Sequence, residues 1–168
     1  MDLILWRHAD AGEPVEDILQ DLQRSLTPKG EKQAARMADW LNRFLPESTR
    51  VLVSPALRCQ QTAQALGRKF QTREALGPGG TVGNLLTLAR WPDRREPVLI
   101  VGHQPTLGLT AATLMAGLQG TAEAAETPVA HATPAWSIRK GSVWWLRHRV
   151  RGGVAEVVLV SARSPDNL

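Results

Sequence analysis

Two periodicities divide this chain. Leu3-Ile4-Leu5-Trp6, Arg50-Val51-Leu52-Val53 and Pro97-Val98-Leu99-Ile100-Val101-Gly102 are short, continuous apolar runs. Runs of this length, closed by polar or turn-forming residues, read as strands buried on both faces. Between them the spacing becomes helical. Thr27-Pro28 offers an N-cap and a first-position proline, and Ala34, Met37, Ala38, Leu41 and Leu45 follow before Pro46 marks the exit. Ser54-Pro55 repeats the cap-and-proline pattern ahead of a helix that buries Cys59, Thr62, Ala63 and Leu66. Phe70 to Leu76 reads as a short strand, and Gly77 to Gly80 as a loop. Val82 to Trp91 reads as a helix with Leu85, Leu88 and Ala89 inward. Leu107, Ala111, Leu114, Met115 and Leu118 mark another helix. The Ala-, Thr- and Pro-rich stretch over 119–135 is expected to be a flexible surface loop. Ser142 to Arg149 and Ala155 to Ala162 read as final strands joined by a Gly152-Gly153 hairpin turn. Trp144 and Trp145 are adjacent in the first of these, so they face opposite ways, one of them into the core.

Strands alternating with helices predict an α/β fold. The expectation is one three-layer α/β/α domain over residues 1–168, with a mostly parallel central sheet. In such sheets ligands bind beyond the carboxyl ends of the strands. Three polar clusters fall on that rim: Arg7-His8 after the first strand, Ser54 to Arg58 after the second, and His103 after the fourth.

Composition narrows the setting. The 168 residues, 43% hydrophobic and 21% charged, suffice for one globular core. No apolar stretch is long enough to cross a bilayer, and the N-terminus lacks the basic leader of a signal peptide. A single cysteine, Cys59, cannot form an internal disulfide. A cytoplasmic, monomeric protein without membrane attachment is expected. The net charge of +4 and the isoelectric point near 10.0 favour anionic partners. The arginines are scattered and no stacking module is present, so nucleic acid is not expected among them.

Arg7, Arg58, His8 or His103 taken singly reads as a solvated charge or a hydrogen-bonded core group. Together at strand exits they need pairing or a ligand. Two guanidinium forks suit the oxygens of a phosphate, and the helix after Ser54-Pro55 adds first-turn N–H groups with Arg58 beside them. One imidazole can attack phosphorus while a second donates to the transferring oxygens. No acidic or Cys/His cluster has metal-ligand spacing, so neither a metal nor another cofactor is expected.

Four segments then resemble a known family. Leu3 to Ala9 resembles the Arg-His-Gly signature of the histidine phosphatase superfamily, which includes the phosphoglycerate mutases, with Ala9 where glycine is usual. Leu26-Thr27-Pro28-Lys29-Gly30 resembles its Leu-Thr-x-x-Gly segment. Ser54 to Ala63 is similar to its Ser-x-x-x-Arg-x-x-Gln-Thr-Ala block, and Val101 to Pro105 resembles the segment with its second histidine. The resemblance implies a phosphoglycerate mutase-like fold with His8 as nucleophile. Arg7, Arg58 and His103 are then in the phosphate pocket, and Arg24 is added because the smallest members carry an arginine before the Leu-Thr segment.

Only about 40 residues separate Thr62 from His103, too few for the helical lid of larger members. The compact chain therefore resembles the SixA-type phosphohistidine phosphatases, which implies a phosphohistidine-bearing protein as substrate. Asp10 and Glu74 are the nearest candidate carboxylates, Asp10 also as a turn cap, and no general acid is assigned. The alternatives are a phosphatase for a small phosphoester, with the 119–135 loop shaping its pocket, and a non-catalytic phosphate-binding module.

Overall fold

The structure, a computed structural model, describes residues 1–117 and 135–168. The loop expected over 119–135 therefore lies, but for Ala135, outside the described residues, as does Leu118. Six strands form one sheet: β1 (Asp2–Arg7), β2 (Arg50–Val53), β3 (Gln71–Thr72), β4 (Val98–Gly102), β5 (Val143–Arg151) and β6 (Val154–Arg163). Their order is β3-β2-β4-β1-β5-β6. The first four run parallel, while β5 pairs antiparallel with β1 and turns back into β6. Among the described residues five α-helices accompany them: α1 (Ile18–Leu22), α2 (Pro28–Phe44), α3 (Leu57–Gln64), α4 (Val82–Ala89) and α5 (Thr106–Met115).

The continuous apolar runs serve two cores at once. In β1, Ile4 and Trp6 join Met37, Leu41, Val51 and Cys59 on the α2/α3 face. Leu3 and Leu5 join Leu85, Leu107, Leu114 and Ile138 on the α4/α5 face. Burying each such side chain contributes about 1.5–3 kcal/mol. The sheet is thus sandwiched between helical layers, and the mostly parallel α/β fold is as expected.

Local chemistry sets the elements. Thr27 caps α2 by accepting from the Gly30 amide at 3.0 Å, with Pro28 in the first turn. A β-carbon on Gly30 would lie 2.0 Å from the Asp10 carbonyl oxygen, so only glycine lets the loop after β1 press against α2. The β5–β6 turn, Gly152-Gly153, has φ of 55° and 81°, values that favour glycine at both positions.

Several expectations are corrected. The helix after β2 opens at Leu57 with Ala56 as N-cap, and the Ser54 hydroxyl accepts from the Ala56 amide at 3.3 Å and faces His103 rather than capping the first turn. β3 spans two residues before a 3₁₀ turn over Glu74–Leu76. α4 stops at Ala89, where Arg90 adopts a left-handed conformation. Met115 is 40% exposed rather than inward. α1 was not anticipated: it buries no residue, so no apolar period marks it. Trp145 is the inward member of the tryptophan pair, and Trp144 is half-buried. Among the described residues no helix is long and apolar enough to cross a membrane.

Candidate active site

The carboxyl ends of β1, β4 and β2 lie side by side, and the polar clusters meet there. His8 follows β1 and its amide donates to the Gly102 carbonyl at 3.1 Å, which ties it to the end of β4. The side chain is 6% exposed. Its Nδ1 lies 2.8 Å from the Ala9 carbonyl oxygen. A carbonyl can only accept, so Nδ1 carries the proton and Nε2 keeps a bare lone pair. Ala9 is itself fixed, its amide donating to Thr62 Oγ1 at 3.1 Å while that hydroxyl donates to the Arg58 carbonyl. Ala9 is not among the residues of positive φ, so the family's glycine is not needed here.

His103 follows β4, 4% exposed, with its ring centroid 5.3 Å from that of His8. Its Nε2 is 2.7 Å from Ser54 Oγ and 3.5 Å from Cys59 Sγ. Its Nδ1 faces Arg58 Nη2 across a long 3.5 Å contact. Burial pushes both imidazoles well below the ordinary value, His8 to about 4 and His103 to about 3. The surrounding arginines lower both further, and for His103 the nearby His8 ring does so too. Both rings are therefore neutral at pH 7. Burial instead pushes the Cys59 thiol up to about 12, which keeps it an inert packing group.

The arginines are held by main-chain carbonyls. Arg7 Nη1 donates to Ile138 O at 2.8 Å. Arg58, from the first turn of α3, donates through Nη1 to Asp21 O at 2.6 Å. Arg24 Nη1 donates to Ala11 O at 2.6 Å and to Gly12 O at 3.2 Å. The Nε–H groups of Arg7 and Arg58 are buried and make no hydrogen bond. Leaving such donors unpaired costs about 1–3 kcal/mol each. Arg58, Arg7 and Arg24 all act electrostatically on His8, so the fold brings together the four predicted site residues and Arg24.

Asp21, in α1, was missed by the sequence reading. Its Oδ1 pairs with Arg24 Nε at 2.7 Å, and its Oδ2 with Arg58 Nη2 at 3.1 Å. Burial raises its carboxyl, but hydrogen bonds from Arg24 and the Val15 amide and the charge of Arg58 outweigh it and leave the carboxyl below the usual range. Ser54 was read as a cap and is instead the partner of His103. Asp10 is engaged on both oxygens, by Lys140 Nζ at 2.7 Å and Thr27 Oγ1 at 2.8 Å, which fastens the loop after β1. Its carboxyl is held low chiefly by Lys140. Glu74 is exposed on the 3₁₀ turn.

Two buried neutral imidazoles, one with a free lone pair, among three guanidiniums have the chemistry to support nucleophilic attack on an oxyanion. Comparison with known proteins gives the family. The model of the histidine phosphatase superfamily (branch 1) matches residues 3–77. The phosphohistidine phosphatase SixA of Escherichia coli strain K12 is 33% identical over 125 residues, covering 70% of this chain and 76% of that protein. An uncharacterised protein of Picosynechococcus is 36% identical over 129 residues, covering 71% and 76%. The solved structure of the protein histidine phosphatase SixA complexed with tungstate superposes with a TM-score of 0.69 at 28% identity, covering 99% of each chain. The chain belongs to the histidine phosphatase superfamily, and it is a phosphatase of the hydrolase class.

Proposed function

We propose that this chain removes the phosphoryl group from a phosphohistidine displayed on a protein, with His8 Nε2 as the nucleophile. Nε2 attacks phosphorus in line, its bond to phosphorus forms, and the bond from phosphorus to the substrate imidazole breaks. Arg7, Arg58 and His103 hold the equatorial oxygens, with Arg24 at the edge of the same pocket. Before an anion binds, His103 Nδ1 accepts from Arg58 Nη2, which can only donate, and Nε2–H donates to Ser54 Oγ. When an anion takes Arg58, the Ser54 hydroxyl can turn to donate to Nε2, leaving Nδ1–H to donate to the anion. Water then attacks phospho-His8 and releases inorganic phosphate with His8 restored.

The observation that carries this reading is the bond from His8 Nδ1 to the Ala9 carbonyl, because it fixes the lone pair on Nε2 among the arginines. The protein substrate is supported by the short interval between α3 and β4, which holds β3, a 3₁₀ turn and α4 and no lid subdomain. An imidazole leaving group needs only a proton from solvent to depart. We place the protein in the cytoplasm as a single-domain monomer, in keeping with its buried, unbridged Cys59.

The test is incubation with a phosphohistidine-labelled protein and, in parallel, with small phosphomonoesters. Acid-labile label trapped on His8 and faster turnover of the protein substrate are the expected results. Label elsewhere on the chain would end the assignment of His8. Preferential turnover of the small esters would replace the protein substrate with a metabolite.

A further inference from the structure

We infer that Asp21 is a built-in counter-anion that competes with the phosphoryl group for Arg58 and Arg24 and so sets how tightly the pocket holds phosphate. The inference rests on the proposed reading of the rim as a phosphoryl pocket. A carboxylate bound to two phosphate-site arginines has two possible uses: it can orient the guanidiniums, or it can offset their charge. The anchoring of those guanidiniums separates the two. Arg58 is already gripped by the Asp21 main-chain carbonyl at 2.6 Å, a bond that no substitution at position 21 removes. Arg24 is already gripped by the carbonyls of Ala11 and Gly12, at 2.6 and 3.2 Å. Orientation is therefore available without the carboxylate. What the side chain alone supplies is negative charge, 3.1 Å from Arg58 Nη2 and 2.7 Å from Arg24 Nε.

That charge lies close enough to the chemistry to be felt by His103, where it offsets part of the lowering by burial and the arginines while the ring stays neutral. A phosphate dianion drawn to Arg58 meets it at short range, where a partly buried pair repels strongly. Asp21 thus favours release: the product leaves as the carboxylate takes the guanidiniums back. The segment that carries it is suited to such an exchange. α1 buries none of its side chains, and Ile18 and Leu19 are largely exposed, so little packing resists a small displacement.

The experiment compares wild type with Asp21→Asn and Asp21→Glu. Tungstate binding is measured by calorimetry, and product inhibition by inorganic phosphate during turnover. Asp21→Asn is expected to bind tungstate about tenfold more tightly and to show a matching fall in the inhibition constant for phosphate, with KM and kcat both lowered as release slows. Asp21→Glu keeps the charge and is expected to stay within about threefold of wild type. Equal or weaker tungstate binding by a folded Asp21→Asn protein would overturn the inference and make the carboxylate a positioning group. A loss of kcat with unchanged tungstate affinity would also overturn it, in favour of proton transfer. Failure of wild type itself to bind tungstate would instead remove the phosphoryl-pocket reading beneath it.

Discussion

The two ends of β1 place charged groups in similar positions and treat them in opposite ways. At the amino end, Asp2 accepts from Arg147 Nε and Nη2, both at 2.7 Å, and from Trp145 Nε1 at 2.9 Å. Burial raises its carboxyl, but these bonds outweigh it and leave the group below its ordinary value. Cation and anion are matched there. At the carboxyl end, Arg7 and Arg58 keep buried Nε–H groups without hydrogen bonds, and two imidazoles are held neutral. The first end is built to be satisfied in the empty protein. At the second, Asp21 offsets Arg58 and Arg24, yet three guanidiniums face one carboxylate and the Nε–H groups of Arg7 and Arg58 stay unbonded, and that surplus of donors separates a candidate anion site from a matched ion pair.

The sharpest way to break this contrast is His8→Ala. Turnover should fall on the order of 10⁴-fold or more, with no labelled phosphoenzyme. Residual turnover near wild type would place the nucleophile elsewhere. Arg58→Ala follows, with a loss of about 100-fold or more in kcat/KM, measured on the same protein substrate. Ser54→Ala should cost about tenfold in kcat, because His103 loses its 2.7 Å partner while Arg7 and Arg58 stay in place.

The acid side of the pH range tests the neutral imidazoles. Both native values, about 4 and about 3, lie below the ordinary 6.5, so the unfolded chain takes up these protons first. Their effect on stability is constant above about pH 6.5, and stability declines as pH falls from there through about 4 for His8 and about 3 for His103, by several kcal/mol in total. Melting temperature against pH should show this slope, and the double variant His8→Asn, His103→Asn should flatten it. Activity should hold well below pH 6.5 and fail near pH 4, when His8 Nε2 is protonated.

The smallest effect on chemistry belongs to the other end of the strand. Asp2→Asn should lower stability by about 1 kcal/mol, read from denaturant unfolding, since the pair is partly exposed. Its kcat/KM should remain unchanged. A large loss of activity would erase the distinction between the two ends.

How much of this was legible in the chain depended on the kind of signal. Leu3 to Trp6 and Val98 to Gly102 are buried on both faces, so they read as strands without help, and they carried His8 and His103 to the rim. Arg58 was found because a helix start fixes its direction, although the start itself lies at Leu57. Asp21 was invisible for a physical reason: its helix has five residues and no inward face, and its partners are 3 and 37 positions away in sequence. Ser54 was misread because a serine before a proline has the same pattern whether it caps a helix or reaches across the sheet. Its true partner is 49 residues distant. Side-chain pairings between separate loops depend on the path of the backbone, which apolar spacing does not encode.

The hydrogen bond that orients the His8 ring is made by the peptide of the very next residue. Enzymes that orient a histidine with a separate carboxylate can lose that control through one missense change at the partner. Here the acceptor atom is present whatever amino acid occupies position 9, so no side-chain replacement deletes it. Heritable damage must instead come from altering the loop's course. The vulnerable place is Gly30, distant in sequence, where even a methyl group would push against the carbonyl of Asp10.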